Sequence, residues 1–225
     1  MKYFEEIINK YTRKIGFLYR SILFVEDFME DAECENIYVE TLNETLFINP
    51  VNCVGEVSDS LTYYSRVHEI DVQISPVNGN FKELYRNIVK AYVEGLRPLV
   101  RSKLPLTMGN RLEYFMGVTQ GGEGFLLEGG VENVRIPWVN VVLSVHTHPE
   151  EHPIPSLTDL ETILRSFTSR GIAHGIEAYS GGLIIYRVEP IRLEELFFLK
   201  NVKKRDPFSY FSEFGKLKSI RIMYL

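Results

Sequence analysis

The stretch "VHTHPEEHPIPSLTD", residues 145–159, gathers ligand chemistry into one place in a chain with only 5 histidines among 225 residues. His146 and His148 stand two apart, and Ser156 and Asp159 follow. Side chains two apart on a strand share a face, so both imidazoles aim the same way and Thr147 points away. Two neutral imidazoles and one carboxylate, with a fourth position left for water, are the donor set of a catalytic rather than a structural zinc site. Zinc lowers the pKa of such a water to about 7, which makes a nucleophile available at neutral pH. Ser156 and Asp159 also read as the S-x-x-D start of a helix, with Ser156 as N-cap and Asp159 in the first turn. One residue can serve both purposes.

These groups need a strand to carry the histidines and a helix to carry the aspartate. "VNVVLSVHTH" is apolar and β-branched, the pattern of a buried strand. "SLTDLETILRSFTSR" places Leu160, Ile163, Leu164 and Phe167 on one helical face. Upstream, Phe81, Leu84, Ile88, Tyr92 and Leu96 recur at helical spacing. "LEYFMGV", the turn "TQGGEG" and "FLLEGG" then read as a hairpin. Downstream, "GIEAYSGGLIIYRV" reads as a second hairpin turning at Ser180-Gly181-Gly182. Short helices over 190–200 and 207–216 and a last strand "SIRIMYL" complete a main domain of residues 80–225.

Residues 1–79 read as a smaller α+β unit, bounded by the turn "SPVNGN" at 75–80. Phe4, Ile7, Ile8 and Tyr11 suggest a short amphipathic helix. "NIYVETLNETLFINP" gives two strands around Leu42-Asn43. "RVHEIDVQISP" alternates, predicting a strand with Arg66, His68, Ile70, Val72 and Ile74 on one face.

A net charge of −5 argues against a nucleic-acid partner. The triplet Lys203-Lys204-Arg205 reads as a solvated surface turn. No apolar run reaches bilayer length, and the early acids of "MKYFEEIINKYTRK" do not suit a signal peptide. The expected location is therefore cytoplasmic, away from membranes. Cys34 and Cys53 lack CxxC spacing and are expected to be reduced thiols.

"HTHPEEHPIPSLTD", from His146 to Asp159, resembles the JAMM signature, HxHP followed by SxxD, of the MPN-domain metalloproteases. The resemblance covers about residues 80–190. It implies an α/β (α+β) fold, a curved mixed β-sheet flanked by helices. It also implies that His146, His148 and Asp159 hold Zn2+, that Ser156 stabilises an oxyanion, and that an upstream glutamate activates water. Glu113, in "LEYFMGV" after the 81–100 helix, fits that role, with Glu123 in "GGEGFLLEGG" as the second candidate. A general base needs a fixed strand position, which favours Glu113. No insertion follows Asp159, so the chain resembles a compact, minimal member. His152 is read as a loop-surface residue, and His174 and His68 as structural.

The function so implied is that of a zinc-dependent peptidase or isopeptidase. Its substrate would be a ubiquitin-like or sulfur-carrier protein, cut after a flexible C-terminal glycine tail. Two other readings compete. Metal-free MPN scaffolds only assemble complexes, but they characteristically lose the ligands that this chain keeps. RadC-like DNA-associated proteins share HxHP…PSxxD, but the acidic balance speaks against a DNA partner. The N-terminal unit is read as a docking or homo-oligomer element.

Overall fold

The computed structural model describes residues 4–129, 141–201 and 206–225. The chain opens with β1 (Phe4–Ile7) and the helix α1 (Lys10–Asp31), then pairs β2 (Cys34–Leu42) with β3 (Thr45–Cys53). There follow α2 (Val57–Val67), β4 (Asp71–Ile74), α3 (Lys82–Gly95), α4 (Arg97–Arg101) and α5 (Leu104–Asn110). The second half carries β5 (Tyr114–Thr119), β6 (Gly124–Glu128), β7 (Val141–Thr147), α6 (Leu157–Thr168), β8 (Ala173–Ala178) and β9 (Gly181–Arg187). It ends with α7 (Leu193–Asn201), α8 (Pro207–Phe214) and β10 (Ile220–Tyr224).

A seven-stranded mixed sheet, in the order β1-β6-β5-β7-β8-β9-β10, is flanked by helices; β2, β3 and β4 form a separate three-stranded sheet. Within the large sheet only β7 and β8 run parallel, joined through α6 as a crossover helix. Strand alternation divides the core between the two faces. Ile184 and Tyr186 of β9 join Ile15, Ile22 and Phe24 of α1 and Tyr85 and Ile88 of α3 on one side. Leu183 and Ile185 face Leu160, Ile163 and Phe167 of α6 and Tyr210 and Phe214 of α8 on the other.

Several N-terminal expectations are corrected. The residues expected to start a short helix form β1 instead, with Phe4 opposite Leu127 and Ile7 opposite Gly124. Helix α1 starts only at Lys10, where Asn9 caps it by accepting from the N–H groups of Tyr11 and Thr12. Residues 66–70 are not strand: α2 runs to Val67 and β4 begins at Asp71. The sheet and the larger core therefore run across the expected boundary near residue 79, since β1 and α1 build on β5, β6 and β7.

The cysteines are not reduced thiols: Cys34 and Cys53 form a disulfide. The cause is register, because the β2–β3 ladder sets the two residues opposite each other. Such bridges are rare in the cytosol of mesophiles. Among the described residues no helix is long and apolar enough to cross a membrane. Residues 139 and 140, the first of the expected metal-bearing strand, and the Lys203-Lys204-Arg205 turn lie outside the described residues.

Candidate metal centre

Strand β7 alternates Ser144 and His146 with Val145 and Thr147, and His148 follows its last residue. Thr147 is fully buried; its hydroxyl is 2.7 Å from that of Thr107 in α5 and accepts the Tyr114 N–H at 2.9 Å. That pair of bonds ties the end of β7 to α5 and to the start of β5. The strand's last turn outward is held from the other flank, where the His148 N–H donates to the Glu177 carbonyl on β8 at 2.8 Å.

Glu177 itself is 1% exposed. Its carboxylate accepts from Arg97 Nε at 2.7 Å, Arg101 Nη1 at 3.0 Å and Tyr92 Oη at 2.9 Å. A buried carboxylate is tolerable only with this degree of pairing and hydrogen bonding. Arg97 and Arg101 belong to α4, so the network anchors β8 to the helices behind the sheet. Sequence reasoning missed Glu177, because a lone glutamate in "GIEAY" carries no local signal of burial.

Ser156 is the N-cap of α6: its Oγ accepts the Asp159 N–H at 3.1 Å, and the Ser156 N–H donates to Asp159 Oδ2 at 2.7 Å. The cap thus aims the carboxylate at the histidines. Asp159 Oδ1 lies 3.3 Å from His146 Nε2, and Oδ2 lies 3.4 Å from His148 Nε2. Burial by itself raises the Asp159 carboxyl, but the two imidazoles and Ser156 outweigh it and hold it far below the usual carboxylate range. Burial lowers His148, yet the Asp159 carboxylate, with Glu113 and Glu150, leaves it raised above the ordinary histidine value.

The residues fit a metal ion. His146 Nε2 is buried and has no hydrogen-bond partner. One donor atom from each of His146, His148 and Asp159 falls within 4.8 Å of the others. Two nitrogens and one carboxylate oxygen gathered this closely are the donor types that zinc takes.

Glu113 immediately precedes β5. Phe115 pairs with His146 across the β5–β7 ladder, so Glu113 comes level with His148. Its own carbonyl accepts the Gly129 N–H at 2.7 Å. It lines one cleft with His148, Ser156 and Asp159. Glu123 lies at the opposite end of β5, in the turn to β6, where its carboxylate accepts the Thr119 hydroxyl. It does not line that cleft.

The remaining histidines have separate places. His174 Nδ1 is 2.7 Å from Ser144 Oγ. Its ring is 5.2 Å from that of His146, and burial together with the His146 charge pushes it down to about 3. His174 is thus a neutral imidazole packed beneath the candidate ligands. His152 is exposed, 3.0 Å from Ser180 Oγ. His68 meets Asp27 at 2.8 Å, outside the cleft.

Compared with known protein families, with curated proteins and with solved structures, the chain matches none of them.

Proposed function

We propose that the protein is a zinc-dependent peptidase or isopeptidase of JAMM type on an MPN-like fold. The observation that carries the reading is the meeting of His146, His148 and Asp159 at a cleft that His148 and Asp159 line together with Glu113. Zinc supplies a Lewis acid that polarises a carbonyl and acidifies water. Glu113 takes up a proton from that water and passes it to the leaving amine, its place fixed by the start of β5. Ser156 Oγ accepts the Asp159 N–H and would offer its own proton to an oxyanion in the cleft that it lines. Asp159, held ionised by the two imidazoles and Ser156, would join His146 and His148 in holding the ion.

The proposed substrate, taken from the resemblance of the His146–Asp159 stretch to the JAMM signature, is a ubiquitin-like or sulfur-carrier protein with a glycine-rich tail. The test is zinc content and hydrolysis of a linear ubiquitin-like fusion, compared between the unmodified chain and Glu113→Gln. The variant should bind zinc normally and lose about 10²–10⁴ of the rate. Equal rates would remove Glu113 from the chemistry, and a chain that takes up no zinc would end the proposal.

A further inference from the structure

Two hollows meet at the loop between β7 and α6. One is the metal cleft. The other, about 510 Å3, has Ile154, Pro155, Leu183, Phe208, Phe211 and Tyr224 in its walls. Its volume is within the range of about 300–1,000 Å3 of small-ligand pockets. His152, Ile154, Pro155, Pro207 and Phe208 border both hollows, so the two lie side by side across a shared wall.

The ridge between them is pinned in place. The Glu151 carbonyl accepts the Ser180 N–H at 3.0 Å, and His152 Nδ1 lies 3.0 Å from Ser180 Oγ. The hollow therefore has a defined shape in the chain alone. Its rim exposes large apolar groups: Ile154 is 41% exposed, Phe208 63% and Tyr224 71%. Apolar groups clustered on a surface in this way mark a contact site.

Charge separates the two hollows. The metal cleft is bordered by Glu113, Glu150, Glu151 and Asp159, whereas among the described residues no Asp, Glu, Lys or Arg side chain lines the second hollow. A charged side chain entering it loses water and meets, among the described residues, no side chain of fixed opposite charge. An apolar side chain loses nothing and gains contact area.

We infer that this hollow is the specificity subsite of the metal centre. It takes one bulky apolar side chain, leucine or phenylalanine in kind, from the peptide whose backbone crosses the cleft. The inference rests on the peptidase reading and extends it from a glycine tail to the residues that flank it. The shared wall names the occupant: a side chain of a segment lying along the cleft need only cross His152, Ile154 and Phe208 to enter the hollow.

The test uses the full chain loaded with zinc and a diverse mixture of synthetic peptides, with cut sites read by mass spectrometry. Leu or Phe should be enriched about tenfold over Ser or Gly at one fixed distance from the cut. Phe208→Glu, an exposed position, should erase the enrichment and leave zinc content unchanged. A second arm measures anisotropy of labelled peptides, one with a single Leu and one with Gly in its place, on zinc-loaded Glu113→Gln protein. The Leu peptide should bind more tightly, and Phe208→Glu should remove the difference. Cutting without apolar preference, or a preference that Phe208→Glu does not change, overturns the subsite. If no peptide is cut, the peptidase reading fails and the binding arm alone judges the hollow: equal affinities overturn it, unequal ones keep it. A dimer that dissolves on Phe208→Glu without any peptide preference overturns it too, in favour of self-contact.

Discussion

Oδ1 of Asp159 stands 3.3 Å from Nε2 of His146, although one residue belongs to the first turn of a helix and the other to a central strand. Their meeting depends on the Ser156 cap, which receives the Asp159 N–H and donates to the same carboxylate. Asp159→Asn removes the charge and keeps most of the shape. Zinc affinity should fall by more than about 100-fold, beyond the 10–100-fold typical of losing a supporting partner. Competition with a chelating dye measures it, and far-ultraviolet circular dichroism should report an intact fold. Unchanged zinc stoichiometry and affinity would count against the site.

Proton competition gives a second expectation. His148 must be neutral to bind a metal, and its pKa is raised above 6.5. Zinc binding near neutral pH should therefore release protons, and affinity should drop as pH falls through that raised value. Calorimetry in buffers of different ionisation enthalpy counts the protons. A binding constant independent of pH from about 6 to 8 would contradict the geometry.

His174 has the opposite shift, from 6.5 down to about 3, caused first by burial. Between those values the unfolded chain binds a proton that the folded chain refuses. Stability of the metal-free protein should accordingly fall as pH drops through this window, by about 1.4 kcal/mol per pH unit at the steepest. Asp159 adds a loss of the same sign below its unfolded value of 3.8, and Glu123 and Glu195 below 4.5, so the comparison with a variant lacking His174 is what isolates it. His174→Gln should flatten urea-unfolding free energies between about pH 4 and 6. Parallel slopes in the two proteins would show that His174 titrates like an exposed histidine.

Glu177 tests how far the site depends on the layer behind it. Glu177→Gln leaves Arg97 and Arg101 facing a neutral group. Loss of one member of a buried ion pair costs about 3–5 kcal/mol, and the lower end is expected because the two arginines are 21% and 34% exposed. The β8 carbonyl that holds the His148 N–H should shift as well, weakening zinc by about tenfold. Thermal unfolding and dye competition are the paired measurements. A destabilised protein with unaltered zinc affinity would confine Glu177 to a structural part.

The disulfide closes a loop with a sequence separation of 19. Chain-entropy arguments give such a cross-link about 3 kcal/mol. Cys34→Ser with Cys53→Ser should lower unfolding free energy by about that amount and leave zinc binding intact, since the bridge lies in the small sheet. Denaturant titration of both proteins, with and without reductant, decides it.

The centre of the molecule could be read from local pattern. Alternation along β7, the S-x-x-D start of α6 and the turns of the β5–β6 and β8–β9 hairpins are short-range signals, and the ligands sit on those elements. Glu113 against Glu123 was a harder choice, since both flank apolar strands; only the pairing of Phe115 with His146 puts one of them beside the histidines. The N-terminal segment carries its information at long range. Phe4 and Ile7 are spaced well enough for a helix, but the hydrogen-bonding partner that makes them a strand lies at 124–127. The disulfide was closer to reach. Asn43 and Glu44 both take positive φ, +48° and +61°, as a two-residue hairpin turn demands. Counting outward from Leu42 opposite Thr45 brings Cys34 opposite Cys53. Glu177 had no such route, because burial of a single acid follows from where three distant partners fall.

The pairing of β1 with β6 also orders events during synthesis. Strand β1 has no neighbour until residues 124–128 have left the ribosome, so its backbone groups stay unmatched while everything between the two strands is made. A nascent chain stalled before that point exposes Phe4 and Ile7 to whatever chaperones attend it. Emergence of the β5–β6 hairpin, rather than of the histidines, is the step that ends this vulnerability.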